Sequence, residues 1–233
     1  MYSSLKEILE QNRDLFIPVV PFDSEKDILL PMDFTAANTE LTPEILTDTA
    51  LFSAWVNRKI GEAGARYGTG GYAEHRTVYS ISTVFDGPSP GEEPRRLHLG
   101  IDIWGQAGTP VMAPLEAKVH SLAFNDRFGD YGATIILEHT LRGNTFCTLY
   151  GHLSLASLQR WKEGDLVKKG ELFAAFGIPA ENGHWPPHLH FQIIQNMGSA
   201  RGDYPGVCRY SEKEKYLANC PDPALMIPFL YGK

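Results

Sequence analysis

The sequence predicts a mainly β domain preceded by a mixed, partly helical extension. From about Tyr72 onward, short apolar runs of period two alternate with glycine and proline, the pattern of strands joined by turns. Before that point the clearest periodic segment, "LTPEILTDTALFSAWVNRKIGEAG", has Ile45, Phe52, Trp55, Val56 and Ile60 near the 3.6-residue helical period. Neither an internal repeat nor a low-complexity segment interrupts these textures. We therefore divide the chain into a helix and loop extension over 1–72, a β domain over 73–198, and a tail over 199–233 that packs on that domain.

Each element has a local cause. Ser4 and Glu7 have the spacing of a helix capping box. Thr42 is placed to cap the periodic segment, Pro43 suits the first helical position, and Gly61 and Gly64 stop it. The strand candidates follow in order: "RTVYSISTVF", "LHLGIDIW", "TPVMAP", "AKVHSLAF", "ATIILEH", "TFCTLYGHL", "ELFAAFG" and "HLHFQII".

Composition bounds the function. A formal net charge of −7 lacks the basic footprint of a nucleic-acid partner, and no apolar run reaches membrane-spanning length. The N-terminal stretch has no basic region followed by a continuous apolar one, so a cytoplasmic protein is expected. Three cysteines, Cys147, Cys208 and Cys220, fit free thiols in a reducing compartment.

The chemistry is carried by histidines. In "PPHLHFQII", Leu189, Phe191 and Ile193 take one face of a strand, and His188 and His190 stand side by side on the other. Two such imidazoles can share a metal ion, or one can bind it while the other handles a proton. In "RLHLGIDIW", Leu97, Leu99, Ile101 and Ile103 alternate with His98, Gly100 and Asp102. On a straight strand His98 and Asp102 would be about 13 Å apart, too far to share an ion, so a bend at Gly100 is required. In "TLYGHLS", Thr148, Tyr150 and His152 alternate on one face, and Gly151 leaves room beside the histidine. Three strands that each present histidine next to glycine or proline, together with an aspartate, outweigh three coincidences. Histidine plus carboxylate ligation with an open position is the pattern of catalytic zinc.

"HLGID", "YGHLS" and "PHLHF", in that order, resemble the lysostaphin-type zinc metallopeptidases, the LytM group of peptidoglycan endopeptidases. "AGTPVMAP" and "EGDLVKKGELFAAFG" resemble the segments between that family's motifs, and the resemblance covers roughly 95–195. It implies an antiparallel β-sheet groove with Zn²⁺ on its floor, His98, Asp102 and His190 as ligands, and His152 and His188 as catalytic residues. The implied substrate is a peptide or small amide. Some members of the family have lost their ligands and act as non-catalytic binding modules, but all five polar positions are present here. "EGDLVKKGELFAAFG" also has the glycine spacing of a lipoyl-type carrier, without the hairpin lysine such a carrier needs.

Further expectations concern the surroundings. His139 and Tyr150 are candidates for holding the ligands from behind. His184 and Trp185 are expected to shape a groove wall, and residues near 62–76 to line or cover the groove. Few basic residues lie near the motifs, which suits a neutral peptide.

Overall fold

The computed structural model describes residues 4–87, 89 and 91–231. Twelve strands are present among them: β1 Leu29–Met32, β2 Tyr67–Gly70, β3 Leu97–His98, β4 Ile101–Trp104, β5 Pro110–Met112, β6 Ala117–Asn125, β7 Gly132–Leu141, β8 Asn144–Leu153, β9 Leu166–Val167, β10 Leu172–Ala175, β11 His188–Ile194 and β12 Val207–Cys208. Eight of them form one sheet in the order β1-β2-β4-β11-β8-β7-β6-β9. Only the β1–β2 pair is parallel; β2 to β9 pair antiparallel. The fold is thus mainly β with a large antiparallel sheet, as the sequence predicts.

The first 72 residues depart from the expected helix and loop. The capping box forms, with Ser4 and Glu7 closing the start of α1 (Leu5–Gln11). The long periodic segment is two helices, α2 (Pro43–Thr47) and α3 (Thr49–Glu62). Asp48 separates them because its carboxylate accepts from the amides of Ala50 and Leu51 and so caps a new helix. "YGTG" is not a linker but β2, which pairs with β4, and β1 pairs with β2 in turn. Gly68 permits this because a Cβ there would lie 2.3 Å from Met32 Sδ.

"RTVYSISTVF" is not a strand. It forms two 3-10 turns, Val78–Ile81 and Thr83–Phe85. Val78, Tyr79 and Phe85 are buried instead against Trp104, Trp185 and the α3 residues Phe52 and Trp55. The opposite face of the sheet is covered by α1 and by the C-terminal segment, where Leu225, Met226, Ile227 and Phe229 join the core of Ile101, Ile103, Tyr150, Leu189 and Phe191. Residues 232–233 of the tail lie outside the described residues. The three cysteines are free and buried. Among the described residues no helix is long and apolar enough to cross a membrane.

Candidate active site

Neighbouring strands bring five side chains to one place. Asp102 on β4 lies directly across the ladder from His190 on β11. His98 ends β3, and the chain then turns at Gly100. His98 Nε2 comes to lie 3.3 Å from Asp102 Oδ1 and 3.0 Å from His190 Nδ1, while His190 Nδ1 is 3.2 Å from the same oxygen. Glycine is needed at the turn because a Cβ on residue 100 would sit 2.5 Å from His190 Cε1 and 2.8 Å from the Phe191 carbonyl oxygen. The turn also corrects the expected face. Leu97 and Leu99 pack with Tyr131, Leu149 and Ile194, on the other side of the sheet from Ile101 and Ile103.

His152 reaches the site by breaking the alternation of its strand. Tyr150 opposite Phe191, and Thr148 opposite Ile193, face the core, so regular alternation would send His152 there as well. A bulge sets Gly151 and His152 against one residue of β7, and His152 adopts a left-handed φ of 62°. Its ring then lies 4.0 Å, centroid to centroid, from that of His188. Gly151 leaves room not for the histidine but for Tyr131, whose Cδ1 would be 2.5 Å from a Cβ.

The partners of each ring set its tautomer. A carbonyl oxygen only accepts, so a ring nitrogen bonded to one carries the hydrogen. His98 Nδ1–H donates to the Gly71 carbonyl at 2.9 Å, His152 Nδ1–H to that of Asn182 at 2.7 Å, and His188 Nδ1–H to that of Pro186 at 2.7 Å. Gln192 donates through Nε2 to the Pro205 carbonyl, which leaves its Oε1 to accept from His190 Nε2–H at 2.9 Å. In the neutral rings the lone pairs are therefore at His98 Nε2, His190 Nδ1, His152 Nε2 and His188 Nε2.

Burial favours the neutral form of His98, His152 and His188. It pushes His98 down to about 4, helped by the nearby Arg76 charge. It pushes His188 down to about 4 as well, and holds His152 well below the usual histidine range, with His188 adding to the effect. Burial alone would raise the Asp102 carboxyl, but His98 and Arg76 beside it hold it well below the usual range.

This donor set fits a metal. Two unprotonated nitrogens 3.0 Å apart, with a carboxylate oxygen 3.2 and 3.3 Å from them, repel one another unless a cation lies between them. Tetrahedral bonds of about 2.0–2.1 Å place ligand atoms roughly 3.3 Å apart. His98, Asp102 and His190 are thus the residues that could hold zinc. His152 and His188 lie beside them with free Nε2 atoms, and Trp104 stacks on His188 at 3.9 Å.

The groups behind the ligands are not the expected ones. His139 bonds the Glu116 carbonyl and Thr148, and Thr148 in turn contacts Tyr150, in a network on the core side of the sheet. The groups that do hold the ligands are the Gly71 carbonyl, Gln192 and Arg76. Gln192 was readable, since period two on β11 puts it on the face of His188 and His190. Arg76 carried no such signal.

A cavity of about 210 Å³ opens on His152 and His188. The segment expected to cover the groove reaches it at its end, where Arg76 lines the cavity, and the lining continues C-terminally with Val78, Tyr79, Val84 and Phe85; Ser82 Oγ donates to the Phe128 carbonyl. Trp185 lines the wall as expected, while His184 is exposed and stacks on Phe128. The expected scarcity of basic groups does not hold, because Arg95 and Arg127 also line the cavity, with Asp130 and Asp203 near them. Trp104 Nε1 and Trp185 Nε1 are buried donors with no hydrogen-bond partner among the described residues.

Comparison with known proteins agrees with this geometry. Residues 96–201 match the model of peptidase family M23. A protein of Haemophilus influenzae named "Uncharacterized metalloprotease" is 36% identical over 101 residues, which are 43% of this chain and 19% of that protein. The L-Ala--D-Glu endopeptidase of Bacillus subtilis is 27% identical over 146 residues, 60% of this chain and 42% of that protein. This chain thus spans less than half the length of either relative. Among solved structures, the catalytic domain of the antimicrobial peptidase lysostaphin from Staphylococcus simulans is similar with a TM-score of 0.39 and 23% identity, over 70% of this chain and 97% of that one. Residues 96–201 of this chain thus form a peptidase family M23 domain.

Proposed function

We propose that the chain is a zinc-dependent hydrolase that cleaves an amide bond of a short peptide or small amide. One observation carries this reading: three convergent lone-pair donors 3.0–3.3 Å apart lie beside two histidines whose Nε2 atoms are unprotonated. His98, Asp102 and His190 would hold the metal. When bound, zinc lowers the pKa of a water toward ~7 and polarises the scissile carbonyl.

The remaining chemistry belongs to the chain. His152 and His188 each have Nδ1–H committed to a backbone carbonyl, so each ring meets substrate through Nε2 alone. Such a nitrogen must gain a proton before it can give one. One ring therefore takes the proton of the attacking water at Nε2 and then protonates the leaving nitrogen from that same atom. The other ring, also unprotonated at Nε2, can accept a hydrogen bond from the attacking water and so orient it. The wrong tautomer is excluded because turning either ring would break its bond to Asn182 or Pro186. The indole N–H groups of Trp104 and Trp185 are left to donate to substrate oxygens, since a buried unpaired donor costs about 1–3 kcal/mol until it finds an acceptor.

Size supports a small substrate. The five site side chains are at most 6% exposed, and the cavity of about 210 Å³ has room for a short peptide rather than a cross-linked polymer. The test is a side-by-side assay of short soluble peptides and intact wall sacculi, with His152→Ala as the blank. Turnover of the peptides, abolished by chelation and restored by zinc, is expected. Release of fragments from sacculi alone would overturn the small-substrate reading, and no zinc-dependent turnover of either would leave the binding-module reading.

A further inference from the structure

We propose that Arg76 is a positioning residue that makes Asp102 offer a single oxygen to the metal; this rests on the zinc reading above. Asp102 has two oxygens and they face different ways. Oδ1 is the atom 3.3 Å from His98 Nε2 and 3.2 Å from His190 Nδ1. Oδ2 accepts from Arg76 Nη1 at 2.5 Å. The guanidinium cannot serve a substrate as well, because its other nitrogens are engaged. Nε donates to Glu74 Oε2 at 2.6 Å, Nη2 faces the Gly71 carbonyl at 3.5 Å, and Nη1 also reaches the Tyr79 hydroxyl at 3.1 Å. Its ring neighbours are Phe34 and Tyr79, with the guanidinium carbon 5.0 and 5.8 Å from their centroids. Arg76 itself is 1% exposed.

The backbone holds this arrangement in register with the metal site. Residues 73–76 run alongside β3: the Ala73 amide donates to the His98 carbonyl, the His98 amide to the Glu74 carbonyl, and the Arg76 amide to the Arg96 carbonyl. Glu74 and Arg76 therefore share one side of the segment, toward the site, and His75 takes the other. Arg76 and Gly71 both lie outside the residues that match the M23 model, so part of what orients the ligands comes from the preceding segment. A planar fork tied to Glu74 on one edge and to Asp102 on the other fixes the carboxylate's rotation. Without it, Oδ2 is free to turn toward the metal and raise the coordination number from four to five.

The test removes the ion pair without changing net charge. The full chain is made as Glu74→Gln/Arg76→Met, and Arg76→Lys is the conservative variant. Each is checked for folding by circular dichroism, titrated with Zn²⁺ against a chelator, and loaded with Co²⁺ for its visible spectrum. Wild type is expected to bind one metal with the strong visible bands of four-coordinate cobalt. The double variant should bind zinc about 10- to 100-fold more weakly, the usual cost of losing such an outer partner, with the weaker bands of five-coordinate cobalt. Arg76→Lys, which keeps the charge but not the fork, should fall between them. A double variant with wild-type affinity and spectrum overturns the proposal while leaving the zinc reading intact. If the double variant does not fold, Arg76→Lys decides in the same way: a wild-type affinity and spectrum overturns the proposal. A folded wild type that takes up neither metal overturns both.

Discussion

Gly100→Ala asks whether the turn between His98 and Asp102 is needed for metal binding. The new methyl carbon would lie 2.5 Å from His190 Cε1, 2.6 Å from His190 Nε2 and 2.8 Å from the Phe191 carbonyl oxygen. Ordinary contact begins near 3.4 Å, so the ring or the β4–β11 backbone must move by roughly 1 Å. The backbone is held by the ladder that pairs His190 with both Asp102 and Gly151. The ring is held at Nε2 by Gln192. Overpacking of this kind costs about 1–3 kcal/mol. Metal sites tolerate deviations of only about 0.2 Å in ligand distance, so a 1 Å displacement of Nδ1 removes one of three ligands. The expected outcome is a protein that folds with a lowered melting temperature and binds zinc at least ~100-fold more weakly. Melting curves with zinc and with chelator, together with metal content after dialysis, measure both. Gly61→Ala is the control: a Cβ there meets nothing within 4 Å, and in the last turn of α3 it should stabilise by up to about 1 kcal/mol. Stoichiometric zinc of wild-type affinity in Gly100→Ala would refute the reasoning.

Three other perturbations separate binding, chemistry and stability. His98→Ala, Asp102→Ala and His190→Ala should each lose zinc, whereas His152→Ala and His188→Ala should keep it and lose ~10²- to 10⁴-fold in turnover; metal content paired with rate reads both, and zinc loss in His188→Ala with retention in His190→Ala would reverse the roles within "HLH". Trp185→Phe removes an unpartnered N–H while keeping the ring's packing; KM should rise about 3- to 10-fold, the worth of one hydrogen bond, and an unchanged KM would show that this donor never meets substrate. His139 lies on the core side, away from the ligands, and burial pushes it down to about 4. Because its folded pKa is below the unfolded ~6.5, its contribution is intact above pH ~6.5 and is lost as pH falls toward 4. Between pH 7 and 4 the stability difference between wild type and His139→Gln should shift by about 3 kcal/mol in the variant's favour, at ~1.4 kcal/mol per unit; denaturant curves at the two pH values would show a flat difference if the ring is not buried neutral.

What could be read in the chain follows from where its patterns are local. Period two on β11 placed His188 and His190 together, and Gln192 behind them, because that strand runs regularly for its full length. The bend at Gly100 was legible as a requirement, since two ligands four residues apart cannot meet on a straight strand. The face of His152 was not legible. It depends on a bulge against β7 and a left-handed φ, and neither leaves a mark in the alternation of Thr148, Tyr150 and His152. Strand pairing was equally hidden at Tyr67–Gly70. Four residues with two glycines carry no apolar alternation, yet they are a strand because they pair with β4, and Met32 fills the space a side chain would take. Arg76 was invisible for the same reason: what makes it important is a contact 26 residues away.

These non-local contacts change what the preceding segment is. It extends the sheet through β1 and β2, so β4 has a partner on both sides. It supplies the Gly71 carbonyl that fixes the His98 tautomer and the guanidinium that holds Asp102. It then lines the cavity with Val78, Tyr79, Val84 and Phe85. Without it, β4 would present an open edge, and Asp102 would be a buried carboxylate with no cationic side chain beside it, a loss of about 3–5 kcal/mol in comparable sites. Residues 96–201 hold all five histidine and aspartate positions, but the His98 tautomer, the ion pair at Asp102 Oδ2 and one wall of the cavity depend on residues that come before them. The active unit is therefore larger than the segment in which the family pattern is visible.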